Sequence, residues 1–213
     1  MSKSFIVTEE RLKEISFPDV VGWCCRKHSD TNHFYDGYIP YRFQLDMTYS
    51  VAKEFEYLLD NEVDYQPGKK EYKAGVESSV TLREICLLAT WGHDLIEDTR
   101  TSYNDIKNKM GKGPADRIYA VSNEKGRNRS ERANEKYYEG IRNTPGAVFV
   151  KLCDRIANVK YSRLVEGNRV NSMLSMYRKE NDSFIGSLGC NENHTLYPMT
   201  EYLIHLLKCS MFK

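Results

Sequence analysis

The chain has 213 residues, 40% hydrophobic and 29% charged, and its 31 basic and 30 acidic residues leave a net charge of +1. That length holds one sizeable core, and the composition is that of a folded domain rather than a disordered segment. Near-neutrality excludes the basic footprint of a protein that binds long nucleic acid, while leaving room for a small charged substrate met by a local basic patch.

No apolar run approaches the roughly 20 residues of a membrane span. The opening "MSKSFIVTEERLKEI" breaks into charge before a signal-peptide core forms, so a cytoplasmic protein is expected. Six cysteines, at 24, 25, 86, 153, 190 and 209, form no Cys-x-x-Cys pair and are expected to be reduced.

Helical periodicity runs through the chain. From Gln44 to about Asp60, Leu45, Tyr49, Ala52, Phe55 and Leu59 fall on one face. The Gly/Lys-rich stretch "DYQPGKKEYKAG" ends that pattern. Thr81-Leu-Arg-Glu84 is a capping box, which opens a helix running through Leu82, Ile85, Cys86 and Ala89 towards His93. A helical region over 103–122 carries a break near Gly111–Pro114, and Pro145-Gly146 precedes the helix "AVFVKLCDRIANVKYSRL". Helices near 171–185 and 197–211 complete the chain. Strand signals are short, repeats and linkers are absent, and the expectation is an all-α, single-domain helical bundle over 1–213.

Two segments carry chemistry. In "LLATWGHDLIEDTR", His93 and Glu97 lie four apart, as do Asp94 and Asp98 on the adjoining face. Adjacent His and Asp residues point about 100° apart on a helix, so both reach one ion only from a cleft beside the helix end. In "AVFVKLCDRIANV", Asp154 sits in a stripe of small and apolar residues, where an uncompensated carboxylate is costly. Arg155 projects elsewhere, and a divalent cation shared with His93 and Asp94 accounts for both placements. Mixed imidazole and carboxylate ligands suit Mn²⁺. Lys151 and Asn158 flank Asp154 at i−3 and i+4, placed to hold a phosphate or to orient the ligands.

"GHDLIEDT" followed by "KLCDRIANV" resembles the HD-domain phosphohydrolases, in particular the hydrolase module of the RelA/SpoT family and its small stand-alone hydrolases. Similarity extends upstream through "RKHSDTNHFYDGYIPYRFQLDMTYSVA", covering roughly residues 20–162; the last fifty residues match only as generic helices. The resemblance implies that His93, Asp94 and Asp154 bind the metal, and that Glu97 and Asp98 orient or deprotonate the attacking water. It places Tyr41, Lys125, Lys151 and Asn158 at the substrate, a small phosphorylated nucleotide of the guanosine 3′,5′-bis(diphosphate) type. The implied reaction is hydrolysis of the 3′-pyrophosphate ester, as in the alarmone hydrolases of the stringent response.

Two features depart from the family pattern. Where Pro-Tyr-x-x-His supplies a first metal-binding histidine, this chain has Gln44, a weaker ligand. Either Gln44 binds with reduced affinity, or His28 or His33 substitutes, or the chain is a catalytically impaired nucleotide-binding regulator. The basic nucleotide-contacting loop is replaced by "SDTNHFYDGYI", whose rings either stack on a base or pack the loop. Lys125, Arg127, Arg129 and Arg132 could restore the missing charge. The changed loop also leaves open another HD activity, a nucleotidase or cyclic-nucleotide phosphodiesterase.

Overall fold

The computed structural model describes residues 17–59, 81–123, 126–165 and 172–208. The chain is all-α. Its order is α1 (Phe17–Ser29), a hairpin of β1 (Phe34–Tyr35) and β2 (Ile39–Pro40), α2 (Arg42–Phe55) with a 3₁₀ turn (Glu56–Leu59), and α3 (Leu82–Gly92). Then follow α4 (Leu95–Asp98), α5 (Tyr103–Met110), α6 (Lys112–Val121), α7 (Arg129–Arg132), α8 (Glu135–Asn143), α9 (Ala147–Leu164), α10 (Ser172–Leu188) and α11 (Tyr197–Lys208).

The capping signals act where the sequence places them. The Glu84 N–H donates to Thr81 Oγ1 at 3.2 Å, and the Thr81 N–H donates back to Glu84 Oε2 at 2.8 Å. Together they satisfy two of the orphan donors at the start of α3. Gly111, at φ +90°, separates α5 from α6, a conformation that costs glycine little. The Gln44 helix starts two residues earlier than its pattern suggests, and its last turn tightens to 3₁₀. The Gly/Lys-rich stretch at 64–75 and residues 209–211 lie outside the described residues.

The β1–β2 hairpin has no counterpart in the periodicity of the sequence. It pairs Phe34 with Pro40 and Tyr35 with Ile39, too few residues for period-two alternation to show. Its signal is the dipeptide Asp36-Gly37, both at positive φ (49° and 82°), which suits a tight hairpin turn.

Helix α9 is the axis of the bundle, packed by α2, α3, α6, α10 and α11. Its apolar residues are covered on most sides: Phe149, Leu152, Cys153, Ile156, Ala157 and Val159 are fully buried. A helix apolar on most of its circumference belongs in the centre of a core, and truncating a residue such as Ile156 there costs about 2–5 kcal/mol. Arg117, itself buried, fixes the entry to α9 by donating from Nε to the Pro145 carbonyl at 2.8 Å. No helix among the described residues is long and apolar enough to cross a membrane. Cys24, Cys25, Cys86, Cys153 and Cys190 are free thiols.

Candidate metal centre

The "GHDLIED" segment is not one continuous helix. Helix α3 ends at Gly92, and Asp94, at φ −102° and ψ 1°, turns the chain before α4 begins. The turn interrupts the helix between His93 and Glu97, while the Asp98 N–H still donates to the Asp94 carbonyl at 3.0 Å, and at this turn the adjacent His93 and Asp94 side chains converge. His93 is 2% exposed, with Nε2 3.0 Å from Asp94 Oδ2 and 3.5 Å from Asp154 Oδ1. One ligand atom from each of His93, Asp94 and Asp154 lies within 4.8 Å of the others, the group of this kind found among the described residues.

The tautomer of His93 follows from its other nitrogen. Nδ1 is 2.7 Å from the Thr90 carbonyl, which can only accept, so Nδ1 carries a hydrogen and Nε2, turned to the carboxylates, is the nitrogen that would give its lone pair to a cation. Burial opposes a charge on this ring, but with no cation the Asp94 and Asp154 carboxylates outweigh it and hold His93 well above its ordinary pKa. Burial likewise raises Asp154, and the Lys151 ammonium together with His93 overcomes it, keeping this carboxyl below the usual range.

Gln44, on α2, occupies the fourth side. It is 1% exposed, and its Nε2 lies 3.2 Å from Asp154 Oδ1, 3.3 Å from His93 Nε2 and 3.1 Å from Thr48 Oγ1. Its Oε1 is buried without a hydrogen-bond partner. A half-turn of the amide exchanges the two atoms and presents the oxygen to the cluster. Tyr41, at the start of the same helix, donates its hydroxyl to Asp94 Oδ2.

His28 and His33 do not join the triad. Their Nδ1 atoms face each other at 2.9 Å, and both rings stack on Tyr41, at 4.2 and 4.0 Å between centroids. Burial pushes His28 down to about 4. His33 Nε2 is 3.8 Å from Asp98 Oδ2. Burial, then the charges of Asp94 and Glu97, push the Asp98 carboxyl up to about 7.

The remaining expected site residues divide. Lys151 Nζ is 3.3 Å from Asp154 Oδ2 and 5.9 Å from the Tyr137 ring centre, its side chain 15% exposed. Asn158 is engaged on both ends of its amide: Nδ2 donates to Asp154 Oδ1 at 2.6 Å, and Oδ1 accepts from the Tyr35 hydroxyl at 2.8 Å. Glu97 turns towards the end of α6, accepting the Asn123 N–H at 2.8 Å and Asn123 Nδ2 at 2.7 Å. Lys125 lies outside the described residues. Arg155 pairs with Glu180 at 2.6 Å and lies over the Phe184 ring, clear of the cluster.

The sequence alone did not single out Thr48, Thr90, Asn123 or Tyr137. Thr48 and Thr90 are four and three residues from Gln44 and His93, a helical spacing that could have marked them. Nothing in the spacing marks Asn123 or Tyr137. No family model matches the chain, and no curated protein matches it.

Proposed function

We propose that the chain is a metal-dependent phosphohydrolase of the HD type, acting on a small phosphorylated nucleotide as a guanosine 3′,5′-bis(diphosphate) 3′-pyrophosphohydrolase does. The observation that carries this reading is the convergence of the adjacent His93 and Asp94, at the turn between α3 and α4, with Asp154 on α9, their ligand atoms within 4.8 Å. The donor set fits a divalent cation such as Mn²⁺: one imidazole with Nε2 turned inward, two carboxylates, and a buried amide whose oxygen has no partner.

Such a cation, held by His93, Asp94, Asp154 and the Gln44 oxygen, would polarise a phosphoryl oxygen and acidify water. The chain's own residues supply the rest. Lys151, a nearly buried ammonium beside Asp154, offsets charge on the phosphoryl oxygens. Asp98, 37% exposed, has access to solvent and takes the proton of the attacking water. Glu97 acts as a positioning residue, anchoring the α6 end through Asn123. Exposed rings at Phe34 and Tyr38 offer faces for a base.

The test is a substrate panel with Mn²⁺: guanosine 3′,5′-bis(diphosphate), other 3′- and 5′-phosphorylated nucleotides, and cyclic nucleotides. Pyrophosphate release from the first, abolished by Asp154→Asn, is expected. Turnover confined to 5′-phosphorylated or cyclic nucleotides identifies another HD activity, and none anywhere overturns catalysis. Gln44, a weaker ligand than histidine, favours one second reading, a nucleotide-binding protein with impaired catalysis. Turnover appearing only in Gln44→His would establish it.

A further inference from the structure

We infer that Tyr35 is a positioning residue for the metal centre: its hydroxyl, through the Asn158 amide, fixes the Asp154 carboxylate and so sets cation affinity. The inference rests on the proposed metal centre. It starts from an asymmetry in the Asn158 amide. The Tyr35 hydroxyl is 2.8 Å from Asn158 Oδ1, while Asn158 Nδ2 is 2.6 Å from Asp154 Oδ1 and 3.1 Å from the Asp154 carbonyl.

An asparagine amide fits its site in two orientations that differ by a half-turn. Both acceptors on Asp154 require the amide nitrogen, because an oxygen turned towards that carboxylate would repel it. The Tyr35 hydroxyl, donating from the opposite side, selects the same orientation. The oxygen so held is Asp154 Oδ1, the atom that also faces His93 Nε2 at 3.5 Å and Gln44 Nε2 at 3.2 Å. Asp154 Oδ2 is turned the other way, to Lys151 at 3.3 Å. Tyr35 thus acts on the carboxylate oxygen that belongs to the ligand triad.

Tyr35 is itself held by the hairpin's seat on α9. Its ring meets Tyr161 edge-on at 4.8 Å and tilts against Phe43 at 6.2 Å. The Tyr161 hydroxyl bonds Asp36 Oδ2 in the turn at 2.7 Å. Asn158 and Tyr161 lie three apart, so both attachments fall on one face of α9. Partners that orient a metal ligand typically change affinity about 10–100-fold when removed.

Tyr35→Phe deletes the hydroxyl and keeps the ring. Mn²⁺ titration calorimetry should show binding weakened about tenfold, with the unfolding midpoint of the metal-free protein little changed. Tyr161→Phe removes the other attachment without touching Asn158 and should leave Mn²⁺ affinity in place. Equal affinity in Tyr35→Phe and the unaltered chain overturns the inference. So does weakening of the same size in Tyr161→Phe, since hairpin docking in general would then be the cause. A purely structural role for Tyr35 would lower the midpoint and spare the affinity, which also refutes it. Failure of the metal centre itself reads differently: the unaltered chain would bind no Mn²⁺.

Discussion

Replacing Gln44 with histidine probes the metal centre most directly. The Gln44 amide reaches both His93 Nε2 and Asp154 Oδ1, so an imidazole grafted there faces the same point. Its oxygen is buried and unpartnered, a condition that costs about 1–3 kcal/mol until a ligand takes up the lone pair. A cation at 100 times its dissociation constant stabilises the folded chain by about 2.7 kcal/mol. For a protein of this size that is a rise in Tm of about 5–11 °C.

Exchanging an amide oxygen for an imidazole nitrogen should tighten Mn²⁺ about tenfold, the low end of what partners of metal ligands alone achieve. At the same Mn²⁺ concentration Gln44→His then gains a further 1.4 kcal/mol or so, about 3–6 °C more. The assay is thermal unfolding by circular dichroism in chelator and in Mn²⁺. Each protein is compared with its own metal-free midpoint, so that packing changes cancel. If Mn²⁺ leaves the unaltered chain's midpoint where it was, or moves both proteins equally, the four-sided site around Gln44 is wrong.

Three other outcomes are expected. His28 is buried and titrates near 4 when folded against 6.5 ordinarily, so the unfolded chain binds more protons between those values. Stability present above pH 6.5 should therefore fall as pH drops through that window, by about 3 kcal/mol at 1.36 kcal/mol per pH unit. His28→Phe, which keeps the stack on Tyr41 and takes no proton, should flatten that acid limb in denaturant titrations at pH 7 and 4.5; an equally steep limb contradicts the assignment. Gly146 sits at φ +79°, where an added Cβ would meet Cys86 Sγ and Leu82. Gly146→Ala should cost about 2–4 kcal/mol in urea unfolding. Glu180→Ala should cost about 2–3 kcal/mol by stranding Arg155, which is 6% exposed, and should spare Mn²⁺ affinity because that guanidinium does not reach the triad.

What the residue pattern determined by itself was local. The helices, the Thr81–Glu84 capping box and the break at Gly111 rest on neighbours three or four residues apart, and helical geometry dictates where those meet. The oddity of Asp154 among apolar neighbours was equally visible, because burying a carboxylate demands a partner wherever it happens.

Only the tertiary structure decided how the site closes. The halt of α3 at Gly92 swings Asp94 back beside His93, and the docking of α9 between α2 and α3 sets Asp154 against Gln44. The same packing turns Glu97 to Asn123 and joins Tyr35 to Asn158 across 123 residues of chain. Such meetings follow from how apolar faces are buried against one another, a global minimisation that no spacing along the chain records.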